Sequence, residues 1–582
     1  MILHTFEKIL KKTILAAVLC AWPAAFAGGV FVTALPRRPV TLDPAYMYDR
    51  YSVMAAVNIY EPLVRFGASS YRTGFEPVLA ERVPTENNGL ISTDGRVYTF
   101  PIRKGVKFHD GTEMTPQDVR YSLLRFMLAD RIEGPSGLLL NPILGINSTR
   151  DKTGRITLDF EEAAGAVRVD GANVVITLKK PFPAFLAVLA AWPCVVSRNW
   201  CARHGEWDGA ETTWKNYNNR PRENSYLKNH ANGTGPFALE SFDDTTGQFT
   251  LGSHDLYWRA PAPLDQLVFV IEPSELNRQI MLETGDADYA EFGRASVQDL
   301  EKFRNVTVKD GLPDYSLGRF IAFSFKVETG SNPMTGSGRL DGTGIPADFF
   351  ADADVRKGFA YAFDYERYFA EVLRGRGKRL TSPVPRPGSP EKAAYYRDPE
   401  KAAARLKTAF EGRLWEKGFR CDAEYPLDDP DAEAVVDILS DSLKALNPRF
   451  EVHPRPVSAE LFKQDIRAGR APLFVKTFEP DYPDYYNYAF GLMHSEGLIP
   501  RMQRYSNPRA DRLCAETLYK DGPARETVFS ALDAIYERDI PQLLLYSPVN
   551  FKAYRSGLTG MDADWGMWGM HNFPDYYAVV KP

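Results

Sequence analysis

A chain of 582 residues is too long to close around one core and implies two or three domains. With 44% hydrophobic and 25% charged residues it has the composition of a folded globular protein, which excludes a long disordered region. Its formal charge of −5 argues against nucleic acid as a partner.

Residues 1–27 read as an export signal and not as part of the fold. Lys8, Lys11 and Lys12 form a basic start, Ile14 to Ala25 an apolar run, and Ala25-Phe26-Ala27 a cleavage site flanked by small residues. A membrane anchor fits less well, because the run is short and Pro23 interrupts it. Lipid attachment at Cys20 fits less well too, because Leu19 stands where a small residue is needed. The expectation is export to the bacterial periplasm and cleavage after Ala27.

Further along, Leu42-Asp43-Pro44 is a turn, and a largely apolar segment leads to Asn58-Ile59-Tyr60-Glu61-Pro62-Leu63. Val97 to Arg103 alternates as a strand, with Tyr98, Phe100 and Ile102 on one face. Lys104-Gly105 and His109-Asp110-Gly111 turn the chain twice. Thr115 then caps a helix, with Pro116 at its first position and Asp118 completing a capping box. Val119, Leu123 and Phe126 form that helix's apolar stripe.

Beyond the leader the cysteines are Cys194, Cys201, Cys421 and Cys514. None makes a C-x-x-C, and the eight histidines form no H-E-x-x-H, so neither a zinc site nor a cofactor is expected. Cys194 and Cys201 are the nearest pair in an exported chain and are the disulfide candidate; spacing alone does not establish the link.

Gly233 and Gly235, before Pro236, mark a point where backbone must pass closely. Glu328 to Phe350 is rich in Gly, Asn, Ser and Pro. Within it Gly342 to Ala347 formally fits G-x-G-x-x-A, but no strand precedes it and Pro346 stands where a helix should open. Asp364 caps a helix carrying Tyr368, Phe369, Val372 and Leu373, closed by Gly375. Asp398-Pro399-Glu400 opens another. Leu473 to Phe478 reads as a short strand that Pro480 and Pro483 stop, followed by a turn carrying Asp481 and Asp484 among Tyr482, Tyr485 and Tyr486. Acids at the end of a strand and walled by aromatics suit an organic cation in a low-dielectric cleft.

Tyr98 to Met127, reading YTFPIRKGVKFHDGTEMTPQDVRYSLLRFM, resembles the signature of the family 5 extracellular solute-binding proteins, the peptide- and nickel-type receptors of ABC importers. The turn at Leu42, the run from Asn58, Asn232 to Phe237, Tyr257-Trp258, Leu282 to Ala290, Asp354 to Arg367 and Asp398 to Ala402 resemble further segments of that family, in family order. Phe478 to Tyr485 is similar to its aromatic-x-x-D-Y-x-D-P motif, with Tyr485 where the family commonly has Pro. The 328–350 segment resembles an insertion relative to short members.

The resemblance implies a two-lobed α/β fold of the type II periplasmic-binding-protein kind, with an extra domain in the first lobe. Residues 28–74, 214–317 and 548–582 would form a discontinuous first lobe, 75–213 the extra domain and 318–547 the second lobe. The lobes would close by hinge motion over a ligand between them. By the same resemblance Asp481 takes a peptide's ammonium, Phe478 is its flanking aromatic, and Tyr482 and Tyr485 line the site. Asp484 organises the turn. Lys476 shares a strand face with Phe478 by period two and is the candidate for the peptide's carboxylate. The chain past Leu42 lines the cleft in relatives, which makes Tyr48 and Asp49 candidate contacts. Arg374, Arg376, Lys378 and Arg379 read as a basic turn at a helix end, and His109-Asp110 as a structural turn.

The expected partners are an oligopeptide or other small solute and the permease subunits of an ABC importer in the inner membrane, with the protein itself a monomer. A hydrolase using Asp481 and Asp484 as acid and base is the alternative class. Against it, the two acids share one turn and no G-x-S-x-G nucleophile elbow is present. Within the receptor class, few histidines weigh against a nickel complex, while abundant aromatics keep an oligosaccharide open.

Overall fold

The computed structural model describes residues 29–67, 74–312, 316–427, 429–482, 484–520, 522–562 and 573–582. The expected export signal lies outside the described residues. Helices and strands alternate through three sheets that matter for the site.

The first lobe is built on a seven-stranded sheet ordered Val306–Leu312, Asn550–Arg555, Tyr289–Ala290, Val30–Leu35, Gln266–Ile271, Phe249–Ser253, Phe237–Phe242. Val30–Leu35 pairs in parallel with Gln266–Ile271 and with Tyr289–Ala290, in register Phe31 with Leu267 and Thr33 with Tyr289. The sheet therefore draws on both ends and the middle of the chain. Parallel pairing needs a crossover connection, and this one is far longer than a single helix.

The second lobe is built on a five-stranded sheet ordered Phe450–Val457, Phe419–Pro426, Leu473–Phe478, Leu317–Phe323, Gln542–Leu544. Leu473–Phe478 lies at its centre, parallel to Phe419–Pro426 and antiparallel to Leu317–Phe323. Both its faces are covered, which is why Leu473, Phe474 and Val475 are all buried in succession. Leu473 and Val475 enter one core cluster, Phe474 and Phe478 another.

A three-stranded sheet, Val97–Pro101, Asn173–Thr177 and Val167–Asp170, carries the signature segment. The strand predicted to run to Arg103 ends at Pro101, and Ile102 makes a single bridge to Ala80. The predicted helix follows at Pro116–Ala129 with both halves of its capping box made: Thr115 N–H donates to Asp118 at 2.9 Å and Asp118 N–H to Thr115 at 3.4 Å. Val119, Leu123 and Phe126 are buried as the stripe requires.

Two polar hubs tie scattered segments together. Arg125 on this helix donates to both carboxylate oxygens of Asp43, at 2.6 and 2.7 Å, and to Glu206 at 3.0 Å. Burial opposes ionisation of Asp43, but the Arg125 guanidinium more than offsets it and holds the acid below its usual range. A cavity of about 10 Å³ beside Arg125, lined by Tyr46, Glu206, Trp207 and Trp214, has room for about one water and none for a peptide. In the second hub Gly235 N–H donates to Ile59 C=O at 2.9 Å, and a Cβ on Gly233 would meet that same oxygen at 2.0 Å. Only glycine fits. Tyr257 and Trp258 both donate to the buried Glu61, and His109 spans Gly233 N–H and Gly235 C=O through its two ring nitrogens. Burial pushes His109 down to about 3, so it is neutral and bonded on both sides, as a structural turn requires. These hubs hold the ends of the helix Arg50–Ile59 and the turn before it.

Elsewhere Asp398 caps Pro399–Thr408, as predicted. The helix after Asp364 winds α over Tyr365–Arg367 and then π over Tyr368–Val372, and closes with Arg374 and Gly375 both left-handed. Arg379 stacks on Tyr365 at 3.4 Å and donates to Leu544 and Leu545 carbonyls, so this basic turn is structural. Among the described residues no strand leads directly into Gly342, and the next α-helix opens only at Ala353, beyond the motif, which removes the dinucleotide reading. Among the described residues, no helix is long and apolar enough to cross a membrane.

Candidate ligand-binding site

Central to the site is Asp481, at the C-terminal end of the central strand of the second lobe. Its backbone N–H donates to Asn487 Oδ1 at 3.2 Å, and Asn487 Nδ2 donates back to its Oδ2 at 3.4 Å. The remaining oxygen faces the other lobe, where Tyr48 Oη donates to Oδ1 at 2.7 Å. Burial pushes the Asp481 carboxyl above its usual range, partly offset by the bonds from Tyr48 and Asn487. Among the described residues no Lys or Arg forms an ion pair with it.

Tyr48 is set by the turn from Asp43 and precedes Asp49, which caps the helix Arg50–Ile59 by accepting from Ser52 N–H at 3.0 Å. Its phenol is driven well above its usual range by burial and then by Asp481, so it stays a donor. Yet 46% of its surface is accessible. Tyr48 stands at the edge of the gap between the lobes. The Trp192 ring stands 5.7 Å away on the extra domain. Next along, Arg50 pairs with Glu291 at 3.1 Å, lies over Phe573 and feels the field of Glu479 across the gap.

Tyr482 crosses to the first lobe and is buried in its core cluster, edge-on to Phe182 at 6.3 Å; Tyr486 meets the same ring at 5.9 Å. Lys476 is half-buried opposite Phe320, with no carboxylate in ion-pair range among the described residues. Burial and the neighbouring Lys463 lower its affinity for a proton.

Three expectations are corrected. Phe478 is not a cleft contact: it is 5% exposed, packed on Tyr488 at 5.9 Å and against Gly491. Tyr485 opens the helix Tyr485–Met493 and points at Phe529, 5.9 Å away, because the helix direction replaces the turn the motif implied. Cys194 and Cys201 are both free and buried. Cys201 sits on the helix Arg198–Arg203 near Tyr121 and Arg125, whereas Cys194 lies in apolar surroundings before that helix, so their environments differ. Asp49 stands at the cleft, but with Oδ1 committed to its helix cap. Asp484 caps Tyr485–Met493 through Tyr486 N–H at 2.7 Å and pairs with Arg525 at 2.6 Å. The sequence reading missed Asn487, Trp192, Phe182 and Arg50. Asn487 was within reach of it, six residues beyond Asp481 in the first turn of the next helix; the others come from segments that carry no local signal of the site.

Residues 74–498 match the family model described as bacterial extracellular solute-binding proteins, family 5 Middle. The chain is 26% identical over 563 residues to heme-binding protein A of Haemophilus influenzae, covering 93% of this chain and 92% of that protein. It is 24% identical over 557 residues to the glutathione-binding protein GsiB of Escherichia coli, covering 92% of each. Among solved structures, the periplasmic binding protein DppA of Helicobacter pylori, in complex with the peptide STSA, superposes with a TM-score of 0.71 at 21% identity. That superposition covers 95% of this chain and 98% of DppA and is a likeness of fold.

Proposed function

The chain belongs to the bacterial extracellular solute-binding proteins of family 5, and on that footing we propose that it is the periplasmic receptor of an ABC importer. It captures oligopeptides between two hinge-closing lobes and delivers them to an inner-membrane permease. Export depends on the 1–27 leader, cleaved after Ala27. The lobes are 28–74 with 214–317 and 548–582, and 318–547, with 75–213 appended to the first.

The observation that carries this reading is Asp481: a half-buried carboxylate in the gap between lobes, held by a phenol and an amide and by no cation among the described residues. Burying an acid without a counter-charge is costly, and a ligand ammonium supplies one. Tyr48 flanks the ammonium, and Lys476 meets the ligand's carboxylate. Asp484 is tied to Arg525 and a helix N-terminus, which favours binding over hydrolysis by an acid–base pair. The peptide named with DppA supports the ligand class.

Calorimetric titration of the purified mature protein with a tripeptide and its N-acetylated form tests this. Acetylation is expected to weaken binding by roughly 30- to several-thousand-fold, the cost of about 2–5 kcal/mol for breaking a desolvated charge pair. Asp481→Ala should lose a similar factor, and the two losses should not add. Equal affinity for both peptides would rule out an ammonium anchor.

A further inference from the structure

Three half-buried cations around the gap have no acid in ion-pair range among the described residues: Arg131, Arg222 and Lys476. Other guanidinium groups of the chain, such as Arg125 and Arg386, are matched to carboxylates. Arg131 donates to the Ile132 carbonyl at 3.3 Å, a contact within its own loop. Arg222 has a buried Nε with no hydrogen-bond partner. It feels Arg131 as a like charge, and its proton affinity is lowered by burial first and then by that repulsion. Asp49 and Glu223 are within Coulomb reach of Arg222, but neither closes on it as an ion pair, and Asp49 Oδ1 is already the cap of its helix.

The second lobe brings its own cations to the same place. The loop holding Arg131 also holds Glu133, which reaches across the gap to Lys463 at 3.9 Å and to Arg467. Two residues span at most about 7 Å, so Arg131 stands beside this crossing. Lys463 is the neighbour that repels Lys476. Gathering Arg131, Arg222, Lys463, Arg467 and Lys476 around Glu133, Asp49 and Glu223 leaves an excess of positive charge, whose cost in free energy a bound anion returns. Tyr48, next to the Asp49 that Arg222 faces, is the residue bonded to Asp481, so this basic end and the acidic anchor belong to one cleft.

We propose that Arg131 and Arg222 of the first lobe and Lys476 of the second form an anion-binding end of the cleft, which selects short peptides carrying acidic groups beyond their ammonium. The inference rests on the receptor reading above and names its substrate class. Arginine suits the task, since its planar fork binds a carboxylate through two bonds.

The test is calorimetry with Ala-Ala-Ala and Ala-Glu-Glu on wild type, on Arg131→Gln/Arg222→Gln and on the corresponding double lysine variant. The acidic peptide should bind wild type about ten- to a hundredfold more tightly, the range for charge-assisted bonds. The Gln variant should lose that preference and the Lys variant keep part of it. Equal affinity of wild type for both peptides, or a preference intact in the Gln variant, overturns the proposal. If neither peptide binds, the peptide-receptor reading fails instead, and thermal unfolding with citrate decides the anion site separately. Stabilisation of wild type by citrate that the Gln variant lacks supports the site, and equal stabilisation or none overturns it.

Discussion

The hydroxyl of Tyr48 donates to the carboxylate of Asp481 at 2.7 Å across 433 positions of sequence, one residue from each lobe. This bond ties the two lobes together across the site. A ligand ammonium must displace the phenol or share the acid with it. Either way it exchanges a neutral donor for a charged one, which is the stronger partner for a carboxylate.

Binding should therefore depend on pH through Asp481. Burial raises its carboxyl above the usual range in the free protein, and an ammonium favours the ionised form. Affinity should be full above that raised value and fall as pH drops through it, starting at higher pH than for an exposed aspartate. Tyr48→Phe removes a bond that lowers the value, so the fall should move to higher pH. Calorimetry across pH 4–8 reads the midpoint; coincident wild-type and variant profiles would refute the link.

Asp481 and Asp484 should separate cleanly. Asp484→Ala removes a helix cap and the partner of the half-buried Arg525. It should cost about 1–2 kcal/mol of stability, with peptide affinity largely kept. Asp481→Ala should do the reverse, because its counter-charge arrives with the ligand. Urea unfolding beside titration distinguishes them.

Glu424 should make the second lobe sensitive to alkali. It is fully buried on Phe419–Pro426, opposite Asp465 and Arg455, and neither of its oxygens has a hydrogen-bond partner. Burial and then Asp465 push it up to about 8. The folded state thus holds a proton that the unfolded chain releases near pH 4.5. Stability is greatest below that point and falls as pH rises to about 8. Glu424→Gln should flatten the slope and stabilise the protein at pH 8 by about 1–3 kcal/mol. Denaturation at pH 5.5 and pH 8 would show parallel behaviour if this is wrong.

Arg125→Met should be among the most damaging substitutions. It leaves Asp43 buried without its cation and Glu206 with Arg220 alone, a loss of about 3–5 kcal/mol. The turn that presents Tyr48 depends on the same Asp43, so surviving protein should also bind ligand less tightly. Urea midpoints and titration of the residual folded fraction check both.

Cys194 and Cys201, free and pushed up to about 12 by burial, should resist thiol reagents at pH 8 in native protein and react when it is unfolded. Mass mapping under non-reducing conditions that finds them joined would reverse this correction.

What could be read beforehand was local chemistry. The capping box at Thr115, the proline-opened helix at Asp398 and the close approach at Gly233 and Gly235 are each fixed within a few residues, and each appears where expected. Asp484 as an organiser of its turn belongs with them. Orientation was less accessible. Phe478 and Lys476 share a face by period two, but the helix after the strand covers Phe478 with Tyr488 and Gly491 and leaves Lys476 half-buried, so one face holds two environments. Tyr485 followed its helix and not the motif's turn. The partner of Asp481 lies in the other lobe, and nothing near position 481 announces position 48.

The seven-stranded sheet imposes an order on the birth of the molecule. Val30–Leu35 is among the first segments made, yet its neighbours Gln266–Ile271 and Tyr289–Ala290 come more than two hundred residues later, and Asn550–Arg555 almost last. The second lobe's sheet is complete by Leu544. Synthesis from the N-terminus therefore finishes the second lobe while the first still lacks a strand, and long-range pairing of this kind is slow. The segment left waiting is the edge strand Val306–Leu312, which among the described residues pairs with Asn550–Arg555 alone and so stays open until nearly the whole polypeptide has been made.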